Sequence, residues 1–200
     1  MRAPRHPEPA GVQRVNSVDI PQWAKDEGHN GTASFIALVG ADSRLIRLEL
    51  DRSSGSPAID AAARERAESL YYMAATDASG AKVEGTVKVR LGYARHDPDS
   101  PGGGLDDYTC RDLVKEYRWF ARANAGVRRI FWLENAYTSM DVLGQLQSGA
   151  VPSLEQRQKQ RAVREKQWKA LLKRCEKAPD GLFLDQVEER DNYLRLVNAF

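Results

Sequence analysis

Apolar and polar positions follow two different rhythms along this chain. In Arg44–Leu50 (RLIRLEL), Ile46, Leu48 and Leu50 fall on one side and Arg47 and Glu49 on the other. That period of two predicts a half-buried strand. Gly85–Tyr93 (GTVKVRLGY) alternates strictly, with Val87, Val89 and Leu91 inward and Thr86, Lys88 and Arg90 outward. Gly31–Val39 is apolar enough for a third strand, although its alternation is blurred. Gly40–Ser43 reads as the hairpin turn between the first two strands in chain order, and Asp77–Gly80 as a second turn. Between the strands the rhythm lengthens. Ile59, Ala63, Ala67 and Leu70 share one face of a helix that Ser56 can cap, with Pro57 at its first position. The order, a possible first helix followed by β–β–α–β, predicts an α+β domain with helices on one face of a small antiparallel sheet.

From Tyr108 onward the pattern is helical throughout. Thr109 caps CRDLVKEYRWFARAN, and RRIFWLENAYTSMDVLGQL continues it. Gly149–Pro152 is a break. Ser153 then caps a long helix over Leu154–Lys177, and LFLDQVEERDNYLRLVNAF makes the last. The long helix carries nine Lys/Arg against three Glu. It reads as a solvated face whose Val163, Leu171 and Leu172 turn to the core. Tyr117, Trp119, Phe120, Phe131, Trp132 and Trp168 are assigned to the core of this second domain. The Pro-rich start reads as a disordered arm over 1–17. HDPDSPGGGLDD, with three consecutive glycines, reads as a linker over 96–107. The domains are therefore 18–95 and 108–200, the second all-α.

The 200 residues hold 30 Lys/Arg and 28 Asp/Glu, a net charge of +2. That balance makes no case for a nucleic-acid partner or an anionic membrane. No stretch approaches the ~20 apolar residues of a membrane span. The first twenty residues contain no apolar run, so no export signal is expected in the chain. His6, His29 and His96 are scattered, and the two cysteines, Cys110 and Cys175, form no C-x-x-C pair, which excludes the tight ligand pairs of a zinc site. Asp97, Asp99, Asp106 and Asp107 lack EF-hand spacing, and His96-Asp97 has no partner nucleophile. No nucleophile elbow, phosphate loop or H-E-x-x-H is present. No metal, cofactor or enzymatic activity is expected.

Ile20–Tyr93 resembles the C-terminal domain of TonB-family energy transducers. The resemblance runs through Asn30-Gly31-Thr32 at the first strand and Ser53-Ser54-Gly55-Ser56-Pro57-Ala58-Ile59-Asp60-Ala61-Ala62-Ala63 at the helix start. It ends in Gly80-Ala81-Lys82-Val83-Glu84-Gly85, which leads into the last strand. It implies a periplasmic protein that binds an extended peptide of an outer-membrane receptor, or of another envelope protein, by strand addition. The candidate edge is Thr86, Val87, Lys88, Val89, Arg90 and Leu91. Lys88 and Arg90 could equally keep that edge from aggregating, and the same edge could form a homodimer. The family's inner-membrane anchor, long Pro-rich spacer and helix-closing proline are not found here, so a soluble or truncated periplasmic relative is expected rather than an energy transducer.

Tyr108-Thr109-Cys110-Arg111-Asp112-Leu113 and Cys175–Val187 resemble the two ends of HdeA-type periplasmic acid-stress chaperones. That resemblance implies a Cys110–Cys175 disulfide, an oxidising compartment, and an alternative function as a chaperone acting through the helical domain. Read without the resemblance, the two cysteines are a staple or simply buried thiols. If bridged, they would contribute roughly 4 kcal/mol by loop closure.

Overall fold

The computed structural model describes residues 7–12, 17–95, 104–127 and 129–197. The chain divides into two compact units, 1–94 and 95–200. Most of the expected linker, His96 to Gly103 with Asp97 and Asp99, lies outside the described residues. The architecture is α+β.

The first unit runs β1 (Gly11–Val12), α1 (Gln22–Asp26), β2 (Gly31–Val39), β3 (Leu45–Arg52), α2 (Pro57–Glu68), β4 (Tyr72–Met73), β5 (Ala75–Thr76), β6 (Lys82–Val83) and β7 (Gly85–Tyr93). Its main sheet is antiparallel with the order β3-β2-β7. The turn between β2 and β3 is closed by Ser43 N–H donating to Gly40 O and Gly40 N–H to Arg44 O. Ser43 has φ +67°. Ala33, Phe35, Ala37 and Val39 of β2, with Val89 and Leu91 of β7, form one core with Ala63 and Ala67 of α2.

The Ser53–Asp60 segment explains itself locally. Ser56 Oγ accepts from Ile59 N–H at 3.3 Å and caps α2, with Pro57 in the first turn. Asp60 reaches back one turn. Its carboxylate accepts from Ser54 N–H at 2.8 Å, Ser54 Oγ at 2.7 Å and Ser53 Oγ. The strand-to-helix crossing is thereby locked. Gly31 sits at φ +140°, and a Cβ there would lie 2.9 Å from Ser54 O. The motif is thus a positioning device for α2 and the start of β2.

Two expectations change. The arm assigned to 1–17 is not disordered throughout. Glu8 exchanges main-chain hydrogen bonds with Thr76, Gly11 and Val12 pair with Met73 and Tyr72, and Ala10 is buried. Residues 1–6 and 13–16 lie outside the described residues. Ile46 and Leu50, read as inward, are 56% and 45% exposed. β3 is an edge strand, and a register shift between Leu38 and Val39 leaves Ile46 without a β2 partner.

The second unit holds α3 (Cys110–Ala123), α4 (Trp132–Gln147), α5 (Leu154–Lys177), a 3-10 turn (Phe183–Gln186) and α6 (Arg190–Val197). Thr109 and Ser153 each form a full capping box, with Asp112 and Gln156. Leu113, Tyr137, Trp168, Leu171, Phe183 and Tyr193 are fully buried together. Trp119 and Phe131 are buried too, while Tyr117, Phe120 and Trp132 pack partly buried against the same core. Cys110 and Cys175 form a disulfide, both fully buried.

Three sequence readings are corrected in this unit. α3 does not continue into α4, because the chain leaves the helix at Asn124 and takes a left-handed turn at Gly126 (φ +78°). The last helix is split. Phe183 N–H donates to Tyr108 O and Leu182 forms an isolated bridge to Thr109, so the start of the segment is tied to the residues just before α3 and makes only a 3-10 turn over Phe183–Gln186. Val163 is exposed, and its neighbour Arg164 is buried instead. Arg164 donates to Asp141 through Nε at 2.9 Å and to Glu189 through Nη2 at 2.6 Å. A guanidinium inside the unit is tolerable only with such partners.

Candidate functional site: the outer edge of β7

Strand β7 pairs with β2 along its whole length, from Gly85 opposite Val39 to Tyr93 opposite Gly31. Its other side is an edge of the sheet. Which main-chain groups face that edge follows from Gly92. Gly92 O accepts from Val18 N–H at 2.9 Å, and Ser17 forms a parallel bridge to Gly92. Gly92 therefore points away from β2, and its pair with Thr32 is the close, non-hydrogen-bonded kind. The alternation of a strand then turns the N–H and C=O of Thr86, Lys88 and Arg90 outward, and those of Val87, Val89 and Leu91 toward β2.

The six edge residues thus divide into two sets. Thr86, Lys88 and Arg90 are exposed, with side chains on the sheet face opposite α2. Val89 and Leu91 are buried and Val87 half-buried, so they supply shape and no side-chain contact to a partner. Lys88 Nζ lies 2.6 Å from Asp51 Oδ2, which also accepts from Ser34 Oγ at 2.9 Å. Lys88, and then Ser34, hold the Asp51 carboxyl below its ordinary range. Arg90 makes no ion pair among the described residues.

Gly92 is required by this geometry. A Cβ on it would lie 2.6 Å from Gly31 O and 3.1 Å from Thr32 Cα, both main-chain atoms. Gly92→Ala must push β7 off β2. A loss of about 2 kcal/mol is expected for the sheet unit, read as a lower urea midpoint by far-UV circular dichroism. No change in the midpoint would mean that the two strands have slack at this point.

The sequence gives no sign of the Ser17–Val18 contact, because a two-residue bridge carries no periodicity. Among the described residues no group of three or more His, Cys, Asp or Glu side chains could hold a metal ion. Asp106 and Asp107 are exposed. A cavity of about 470 Å³ lies in the helical unit against Asp141, Gln145, Gln160, Glu189 and Asn192. Its two acids are those already bound to Arg164. No helix among the described residues is long and apolar enough to cross a membrane.

Compared with known protein families and with curated proteins, the chain matches none of them.

Proposed function

We propose that the chain is a non-enzymatic binding module of the bacterial periplasm that takes an extended segment of an envelope protein by strand addition to β7, as its resemblance to TonB C-terminal domains implies. The observation that carries this reading is the hydrogen bond from Val18 N–H to Gly92 O. An extended segment of the chain itself already docks on one rung of this edge. The next outward groups, on Arg90, Lys88 and Thr86, are arranged to continue the ladder.

The charge on the edge narrows the partner. If β7 paired antiparallel with itself about Lys88, the two Lys88 side chains would stand directly opposite each other. Like charges in that position are destabilising. A neutral or acidic extended peptide fits, and a second β7 in that register does not. The buried Cys110–Cys175 disulfide supports the oxidising compartment.

The test uses proline at an outward-facing position. Arg90→Pro removes one edge N–H and no β2 bond, whereas Arg90→Ala keeps the N–H. A panel of synthetic peptides from the periplasmic N-termini of outer-membrane receptors would be titrated by fluorescence anisotropy. Binding to the wild type and to Arg90→Ala, weakened about tenfold or more in Arg90→Pro, is expected. Equal binding by Arg90→Pro, or no binding across the panel, would remove the strand-addition reading.

A further inference from the structure

The opposite edge of the sheet is built differently. β2 alternates its main-chain groups between its two neighbours. Since Val87, Val89 and Leu91 bond to it from β7, its partners Ala33, Phe35 and Ala37 face β7, and Ser34, Ile36 and Leu38 face β3. Ile36 and Leu38 lie opposite Glu49 and Arg47. Glu49 and Arg47 therefore point their main chain inward, and Leu48 between them points its main chain outward, while Ile46 is the unpaired residue of the register shift. One contact agrees with this: Leu48 O accepts from Arg64 Nη1 at 3.4 Å. Among the described residues no main-chain group outside β2 bonds to the span Leu45–Asp51.

The side chains along this edge are self-complementary. In an antiparallel pairing of β3 with a second β3 about a two-fold axis at Leu48, Arg47 stands opposite Glu49 of the other copy. Glu49 stands opposite its Arg47. Ile46 meets Leu50 twice, and Leu48 meets Leu48. Arg47 and Glu49 would occupy the close, non-hydrogen-bonded positions, where side chains are nearest. Within one chain they already lie 3.3 Å apart, both exposed, so the cross-strand pairs replace a solvent-facing one. Ile46 and Leu50, exposed in the single chain, would gain apolar neighbours. The neighbouring register about Leu50 would set Glu49 against Asp51, two carboxylates. The charges thus favour the register about Leu48 over the one about Leu50.

We infer that β3 is a homodimer interface, and that two copies of this chain join edge to edge into one six-stranded sheet centred on Leu48. The interface is isologous, as a two-fold requires. It replaces the long Arg64 contact to Leu48 O with a main-chain rung. It is independent of the peptide-binding reading, because β3 and β7 lie on opposite sides of β2.

A charge swap tests it on the full chain by sedimentation equilibrium. The wild type should dimerise. Arg47→Glu alone, or Glu49→Arg alone, places like charges opposite each other at both crossings, and should weaken the dimer at least about tenfold. Arg47→Glu with Glu49→Arg restores opposite charges in the same register, and should return the dimer constant to within about threefold of wild type. Arg47 and Glu49 face solvent, and thermal melts confirm that each variant is folded. A wild type monomeric up to about millimolar concentration overturns the inference. So does association that neither single change weakens. Failure of the folded double variant to recover overturns the paired register.

Discussion

Replacing Cys110 and Cys175 together by alanine should lower the stability of the helical unit by about 4 kcal/mol. The bridge spans a sequence separation of 65 and encloses α3, α4 and most of α5. Without it, the unfolded chain regains the freedom of a long loop, which is the main source of the loss in the chain-entropy account. The native side of the balance points the same way. The bridge lies beside main-chain contacts that tie the two ends of the unit together. Cys110 N–H donates to Gly181 O at 2.8 Å, Arg111 N–H to Pro179 O at 2.8 Å, and Phe183 N–H to Tyr108 O at 2.9 Å. A free loop must reassemble all of these. The measurement is urea unfolding followed by tryptophan fluorescence, which is dominated by Trp119, Trp132 and Trp168 of this unit. Reduced wild type should move with the double variant. A shift below about 1 kcal/mol in both would show that the contacts, and not the covalent link, close the unit. Thiol trapping in cells bears on the compartment: a bridge found there supports the periplasmic proposal, and immediate labelling of both thiols opposes it.

The second large effect belongs to Glu116. It is 3% exposed, on α3, and accepts a hydrogen bond from Tyr108 Oη at 2.8 Å. Burial pushes its carboxyl up to about 7, against the lowering effect of the Tyr108 bond and of Arg95. The folded state therefore holds a proton that the unfolded state, titrating at the ordinary 4.5, has released. Stability rises as pH falls through 7 and levels off near 4.5. The size is about 3 kcal/mol between pH 8 and pH 5. Glu116→Gln keeps an acceptor for Tyr108 and removes the charge. It should be more stable than wild type by about that amount at pH 8, and equal to it near pH 5. Parallel pH profiles of the two proteins would show that the carboxylate is solvated after all. At lower pH the balance reverses. Asn192 and Arg164 hold the Glu189 carboxyl below its ordinary range, so its contribution is present above 4.5 and lost as pH falls further.

This profile bears on the alternative reading of the helical unit as an acid-opened chaperone. From pH 8 to pH 5, acid tightens the unit through Glu116. Opening is expected only at lower pH, where Glu189, a carboxylate partner of Arg164, protonates. A rise in ANS fluorescence by pH 5 would favour the chaperone reading over the one proposed here, whereas a rise confined to about pH 3 accords with the loss of the Arg164–Glu189 pair.

The residues that speak for themselves are those whose structure is decided within a few positions. Ser56, Thr109 and Ser153 cap helices because a side-chain oxygen reaches an N–H three residues on. Gly31–Val39 and Gly85–Tyr93 form strands with the bounds their apolar runs mark. The Gly40–Ser43 turn and the long helix over Leu154–Lys177 belong to the same class. Period, capping and turn chemistry are local, and so they are written in the chain. The tertiary structure alone decided what depends on neighbours distant in sequence. Ile46 and Leu50 have the pattern of core residues, yet stand exposed because β3 has no strand beyond it. Arg164 and Glu116 are ionisable, yet lie inside because Asp141, Glu189 and Tyr108 come from other parts of the chain to receive them. A trace of Glu116 was visible, since it lies three residues from both Leu113 and Trp119 on the apolar side of α3. Nothing in the alternation of Thr86–Leu91 told which of its groups face outward. That depended on Gly92 lying against Thr32 on one side and Val18 on the other, a choice made by packing and not by the strand.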